Sequence, residues 1–155
     1  MAKFVNDIND IITYHVEGEV FTLTLNADDP ACDPLTMVRG DGYGLAGWKY
    51  TGEKLTGTHT RRFKLVSVGY CRDFDEVRKK LAAHGTPAQG QWREAFLKAY
   101  PTPNGREHIG FPDDSWVSPH GHRHFPWIWT DGRSDFRWAN DNFDDVWRWL
   151  VLVRE

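Results

Sequence analysis

The chain has 155 residues and a near-balanced charge, 19 basic against 22 acidic, for a formal net charge of −3. That length suits one domain, residues 1–155, able to bury a core without staples. The absence of any extended Lys/Arg run argues against a general nucleic-acid binder, and no stretch approaches the roughly 20 apolar residues of a membrane span.

Met1 to Asp7 carries no apolar signal core, so an unexported protein is expected. Cys32 and Cys71 are the only cysteines, and two free thiols are the expected state. Aromatics make up 14% of the residues, with eight tryptophans. Such side chains serve both cores and binding surfaces.

In chain order, Ile11 to Leu25 reads as a β-hairpin around Glu17-Gly18, with Phe21, Leu23 and Leu25 alternating against threonines. Ile8, Ile11 and Ile12 also fit a helical face over Asn6 to Tyr14. Asn26 to Pro34 is a polar loop. Gly42, Gly44 and Gly47 match the spacing of a dinucleotide-binding loop. That site needs a strand before it and a helix after it, and the Trp48-Lys49-Tyr50 that follows is β-prone instead. A turn between strands is therefore expected at Gly40 to Gly47. Arg61 to Val68 predicts a strand with Phe63 and Leu65 on one face and Val66 and Val68 on the other.

The period then changes. Asp73 caps a predicted helix with Glu76 three residues on; Phe74, Val77 and Leu81 form its apolar stripe and Gly85 ends it. Thr86-Pro87-Ala88-Gln89 reads as the start of a second helix, carried by Trp92, Ala95, Phe96 and Ala99 and stopped by Pro101. Pro101 to Phe125 is a long turn-rich loop with a short strand at His108 to Phe111, and loops this long are often functional. Trp127 and Trp129, then Asp131-Gly132, then Phe136 and Trp138 give strand, turn and strand. Val146 to Val153 is apolar on both faces, which predicts a strand in the middle of the fold.

The order strand, helix, helix, long loop and three closing strands, with Trp127-x-Trp129-x-Asp131-Gly132 followed by Phe136 and Trp138, resembles the C-type lectin-like fold. Members of that family often carry a W-x-W-x-D-G stretch followed by an aromatic residue and a tryptophan. His108-Ile109-Gly110-Phe111 stands where they often have a W-I-G-L strand. The closing Arg148 to Arg154 is similar to the last strand of bacterial and phage members, among them formylglycine-generating-enzyme-like domains and retroelement-diversified receptor binders. The resemblance covers Arg61 to Glu155 and leaves Met1 to Thr60 as an N-terminal β extension. It implies an α+β domain with a mixed or antiparallel sheet, two helices and a long loop, and it suggests a phage or bacterial protein, cytoplasmic or virion-associated. The family's structural disulfides, the E-P-N triplet of its calcium-dependent sugar sites and the paired cysteines of formylglycine-generating enzymes are absent from this sequence. The resemblance thus implies a scaffold rather than an activity.

Several local patterns carry candidate chemistry. In an extended segment His120, His122 and His124 point to one side, and imidazoles suit zinc or copper, with Asp113 or Asp114 as further donors. The same residues also read as a solvated loop. Asn140 to Asp145, with Asp141, Asp144 and Asp145, offers hard oxygens for calcium or, equally, turn and cap residues. Arg133, Asp135 and Arg137 alternate on one strand face beside the tryptophans, as a recognition surface or as an exposed ion-paired face. Cys71, just before a helix, reads as a candidate reactive thiol.

These patterns favour a non-enzymatic binding module for a protein or glycan. Its surface is expected on the 101–125 loop and the 127–138 hairpin, with Trp116, His120, His122, His124, Arg133, Asp135 and Arg137 as contacts. No cofactor is expected for it. The alternatives are a metal-dependent enzyme built on the three histidines, and a structural subunit of a larger assembly whose tryptophans are subunit contacts.

Overall fold

A computed structural model describes residues 18–101 and 105–154. The predicted first strand of the N-terminal hairpin, and the helix that competes with it, lie outside these residues. The second strand of that hairpin is β1, Phe21–Asn26, with Phe21, Leu23 and Leu25 buried and the threonines between them exposed.

A short 3-10 turn at Pro30–Cys32 and a helix α1, Pro34–Gly40, replace the end of the polar loop expected at residues 26–34. Asp33-Pro34 encodes that helix: the Asp33 carboxylate accepts from the backbone N–H of Leu35 and Thr36 at 3.2 and 3.3 Å, and proline suits the first helical position. The glycine-rich stretch follows this helix and leads into β2, Lys49–Tyr50, so it joins helix to strand rather than strand to strand.

Strand β3 runs Thr58–Val66 and starts three residues before the predicted Arg61. Phe63 and Leu65 face one aromatic cluster and Val66 faces another, as its period of two requires. Helix α2, Phe74–Leu81, forms where expected. Asp73 accepts from the Glu76 N–H at 2.8 Å, and the Glu76 carboxylate accepts from the Arg72 N–H at 2.9 Å.

The predicted start of the second helix is wrong. Thr86–Pro87 forms a two-residue strand, β4, antiparallel to the end of the last strand. Helix α3 begins only at Trp92 and ends at Ala99. Sheet pairing takes precedence over capping here because the last strand has an unpaired edge at Val151 and Leu152 that Pro87 and Thr86 fill. The residue before α3, Gln91, offers no side-chain cap. Its amide instead donates to the Cys32 carbonyl and accepts from the Leu55 N–H, each at 2.8 Å.

The long loop is partly sheet. It contains β5, His108–Gly110, and β6, Trp116–Val117, and its end opens β7, Arg123–Ile128. Strands β8, Ser134–Trp138, and β9, Trp147–Leu152, complete the chain. The structure is a mixed α+β arrangement with one open sheet, ordered β1-β3-β9-β5-β7-β6-β2, with β4 on β9 and β8 on β7. Every pairing is antiparallel except β5 with β9. The apolar strand β9 is interior, as its two-faced pattern predicts. Helix α3 packs on one face of β1 and β3, α2 lies on the cluster that holds Trp127, Trp147 and Trp149, and α1 joins a third cluster with Trp48, Trp116 and Phe136. Among the described residues no helix is long and apolar enough to cross a membrane.

Candidate functional site

The β7–β8 hairpin is closed by a tight turn in which the Trp129 N–H donates to the Arg133 carbonyl at 2.8 Å and Asp131 caps the Arg133 N–H at 3.0 Å. Behind it the tryptophans form a continuous stack. Trp129 lies 4.4 Å from Trp127, Trp127 4.9 Å from Trp147, and Trp147 5.1 Å from Trp149, measured between ring centres.

Arg133, Asp135 and Arg137 do share one strand face, against this stack. The Arg133 guanidinium sits 4.6 Å over Trp129, and that of Arg137 sits 5.6 Å over Trp127 and 5.5 Å over Trp147. Asp135 accepts from the Trp129 indole N–H at 3.1 Å and from the Tyr43 hydroxyl. Burial and the Asp135 carboxylate together hold the Tyr43 phenol protonated, well above the usual tyrosine range. Arg137 pairs with Asp141 at 3.0 Å. Asp135 and Arg137 are therefore bound inward, and Arg133 is the member of the three whose side chain is mostly in solvent, at 65% exposure.

Trp116 is not a surface contact. It has no solvent exposure, its indole N–H donates to the Pro34 carbonyl at 2.8 Å, and it packs on Tyr50 and Phe136. Its role is to anchor the long loop to the start of α1. Asp113 and Ser115 tie a second point of that loop. Asp113 accepts from the Gly90 N–H at 2.9 Å and from Ser115, and the Thr51 N–H donates to the Ser115 carbonyl at 2.7 Å.

The histidines do not converge. His120 is exposed in the turn before β7. His122 lies 5.1 Å from Trp138, whereas His124 lies 5.1 Å from Trp48 and burial lowers the pKa of its ring. Asp114 pairs with Arg123 at 2.6 Å, and Asp144 caps the Val146 N–H at 3.1 Å. Asp145 is exposed, and its carbonyl accepts from Arg148 at 2.8 Å. Among the described residues no group of three or more His, Cys, Asp or Glu side chains is gathered to hold a metal. Cys71 is fully buried and burial raises its thiol pKa, the opposite of an activated thiol; Cys32 is likewise buried and pushed up to about 11.

The arrangement leaves one tryptophan outside. Six of the eight are buried, Trp129 is half-buried, and Trp138 is 42% exposed. Trp138 ends β8 opposite His124, with the His122 ring against it. The turn beside it is braced by Ser118 N–H to His122 carbonyl and Gly121 N–H to Ser118 carbonyl bonds, both 2.9 Å, and by an Ala139 N–H to Arg123 carbonyl bond of 2.9 Å. The segment from Trp138 leads to Phe143, which pairs with Cys71 through bonds of 2.7 and 2.8 Å, next to the exposed Tyr70. Sequence pattern marks Trp138 as a strand aromatic; which tryptophan remains exposed depends on packing partners far away in the chain. No family model, no curated protein and no solved structure matches the chain.

Proposed function

We propose that this chain is a non-enzymatic binding module, built on a C-type lectin-like scaffold, that recognises a protein or glycan partner through Trp138 and the braced turn at Pro119 to Arg123. The scaffold reading is supported by the pairing of β3 with the closing strand β9, by two helices between β3 and the closing strands, and by the aromatic β7–β8 hairpin. The observation that carries the binding reading is Trp138. It is a large flat side chain left 42% exposed at the end of a hairpin whose Phe125, Trp127 and Phe136 rings are buried. Tryptophan provides much contact area at low entropy cost, and a turn already held by hydrogen bonds needs little ordering when a partner arrives. His122 stands against the Trp138 ring and the exposed Asn140 follows two residues on, polar groups of the kind that rim a recognition surface.

The test is a paired screen of the wild-type protein and Trp138→Ala on a glycan array and a displayed peptide library. The expected result is a ligand bound by wild type and weakened at least about tenfold in the variant, a loss of about 1.4 kcal/mol, with the unfolding midpoint unchanged. Equal binding by both proteins would remove Trp138 from the contact surface and the proposal with it.

A further inference from the structure

We propose that the chain binds a small aromatic carboxylic acid in a cleft at the start of β3, on the side of the sheet that α3 covers. Residues two apart on a strand share a face, so His59, Arg61 and Phe63 stand together on β3. Opposite them on β1 are Leu25, Leu23 and Phe21, all buried. This is therefore the face that meets α3, whose first residue, Trp92, lies 4.6 Å from Phe63 between ring centres. His59 and Arg61 continue that face past Phe63 and line a cleft of about 180 Å³.

The apolar lining of the cleft is Leu55, Phe63, Trp92 and Leu152, and Gln89 adds an amide. Among the described residues no acidic side chain lines it. Its walls are set before a ligand arrives. The Leu55 N–H donates to the side-chain oxygen of the buried Gln91 at 2.8 Å. His59 Nε2 donates to the Thr56 carbonyl at 2.7 Å, which orients its ring. Leu152 is the sheet partner of Phe63. Arg61 is the exception. Its side chain is exposed, Nη1 donates to the carbonyl of its neighbour Thr60 at 2.9 Å, and among the described residues it has no ion pair. A guanidinium carries five N–H donors, so most of them remain for a ligand.

Size and charge together select that ligand. A cavity of about 150 Å³ holds a benzene ring, so one ring fills most of this cleft. Phe63 and Trp92 supply aromatic partners for it. A guanidinium beside the ring pairs with a carboxylate through two parallel bonds. A neutral ring would make no use of Arg61, and an acid without a ring would leave the apolar lining wet. The volume has room for one ring and its carboxylate rather than for a run of chain, which points to a free acid. None of these residues belongs to the surface around Trp138, so the cleft stands whether or not the function proposed above does.

Fluorine NMR titration of para-fluorophenylacetate into the full chain tests the proposal, with para-fluorophenylacetamide as the uncharged control and acetate as the ringless one. The acid should bind saturably, with a Kd of about 1 mM or tighter. The amide should bind at least about tenfold more weakly, and acetate at equal concentration should not displace the acid. Arg61→Gln should erase the preference for acid over amide. Arg61→Lys should retain part of it, since a charge stays but the paired geometry goes. Trp138→Ala should change nothing. The exposed Arg61 holds one neighbouring carbonyl, so its variants should fold, and a thermal melt checks this. Absence of saturable binding, equal binding of acid and amide, displacement by acetate, or indifference to Arg61→Gln would each overturn the proposal. So would Arg61-dependent binding of a tripeptide ending in phenylalanine that is tighter than binding of the acid.

Discussion

Arg93 grips Asp41 through two bonds, Nη1 to Oδ2 at 2.7 Å and Nη2 to Oδ1 at 3.2 Å, with side chains only 1% and 3% exposed. The same guanidinium donates to the Asp135 carbonyl at 2.9 Å and to Glu94 at 2.9 Å, and lies 5.0 Å over the Phe136 ring. One side chain of α3 thus joins the end of α1 to the hairpin strand β8. Removing one partner leaves a charge buried alone, which costs far more than the pair contributes. Arg93→Met should lose about 3–5 kcal/mol of stability in urea unfolding. Adding Asp41→Leu to Arg93→Met should recover part of that loss, because the orphaned charge is gone. A single-variant loss below about 1 kcal/mol would show that water reaches Asp41.

Close packing gives a second prediction. A Cβ built on Gly110, in β5, would lie 2.4 Å from the ring of Trp149 in the neighbouring strand β9. The ring is hemmed in by Trp147, Phe125, Phe143 and Phe74, so it has nowhere to retreat. Gly110→Ala should destabilise by about 1–3 kcal/mol through overpacking. Gly40, the last residue of α1, offers the control, since an added Cβ there meets nothing within 4 Å. Gly40→Ala should raise stability by about 0.4–1 kcal/mol by restricting the unfolded chain. Thermal melts of both variants read the two signs directly.

Much of the α+β fold is legible in the sequence. The caps at Asp73, the apolar stripes of α2 and α3 and the two-faced strand β9 are local patterns whose partners lie close in sequence. Helix α1 is missed by that reading, because its signal, Asp33-Pro34, sits inside a stretch rich in loop residues. The false helix start at Thr86 shows the limit of local signals, because the competing strand edge of β9 lies more than sixty residues away. The site was less legible for the same reason. His120, His122 and His124 look like one group by spacing, yet Trp48 and Trp138 each take one ring, and neither partner can be read from the histidines themselves. Trp116 looks like a loop aromatic and is instead the anchor of the loop.

The pH dependence of stability should follow His108. Its ring is surrounded by Trp127 and Trp147, each 5.1 Å away, and Trp129 at 6.1 Å, and its Nδ1 has no hydrogen-bond partner among the described residues. Burial lowers its pKa below the usual 6.5; Asp144 opposes that and Arg137 adds to it. The folded state therefore binds this proton less readily than the unfolded state. The contribution is whole above pH about 6.5 and falls as the pH drops toward the folded value, so stability should decline with acidification. His124, also lowered by burial, acts in the same direction. His108→Phe should flatten the slope of stability against pH between about 7 and 5, leaving the share due to His124. An unchanged slope would mean that the ring titrates as if in water.

Trp138 and Trp129 are the two tryptophans with appreciable solvent contact, and they differ in what surrounds them. Trp129 is covered by Arg133 on one side and Trp127 on the other, and its indole N–H is bound to Asp135. Trp138 meets only the His122 edge among the ring contacts of the described residues. Acrylamide should therefore quench Trp138 most efficiently of the eight. Trp138→Phe should remove the largest part of the accessible emission, while Trp129→Phe should remove less and cost more stability. Because Trp138 is exposed and contributes little to the core, its replacement should shift stability by no more than about 0.5 kcal/mol. A loss above about 2 kcal/mol would place the side chain within the packed core. Near-identical quenching in wild type and Trp138→Phe would likewise mean that the ring is covered in solution, and a covered ring cannot receive a partner.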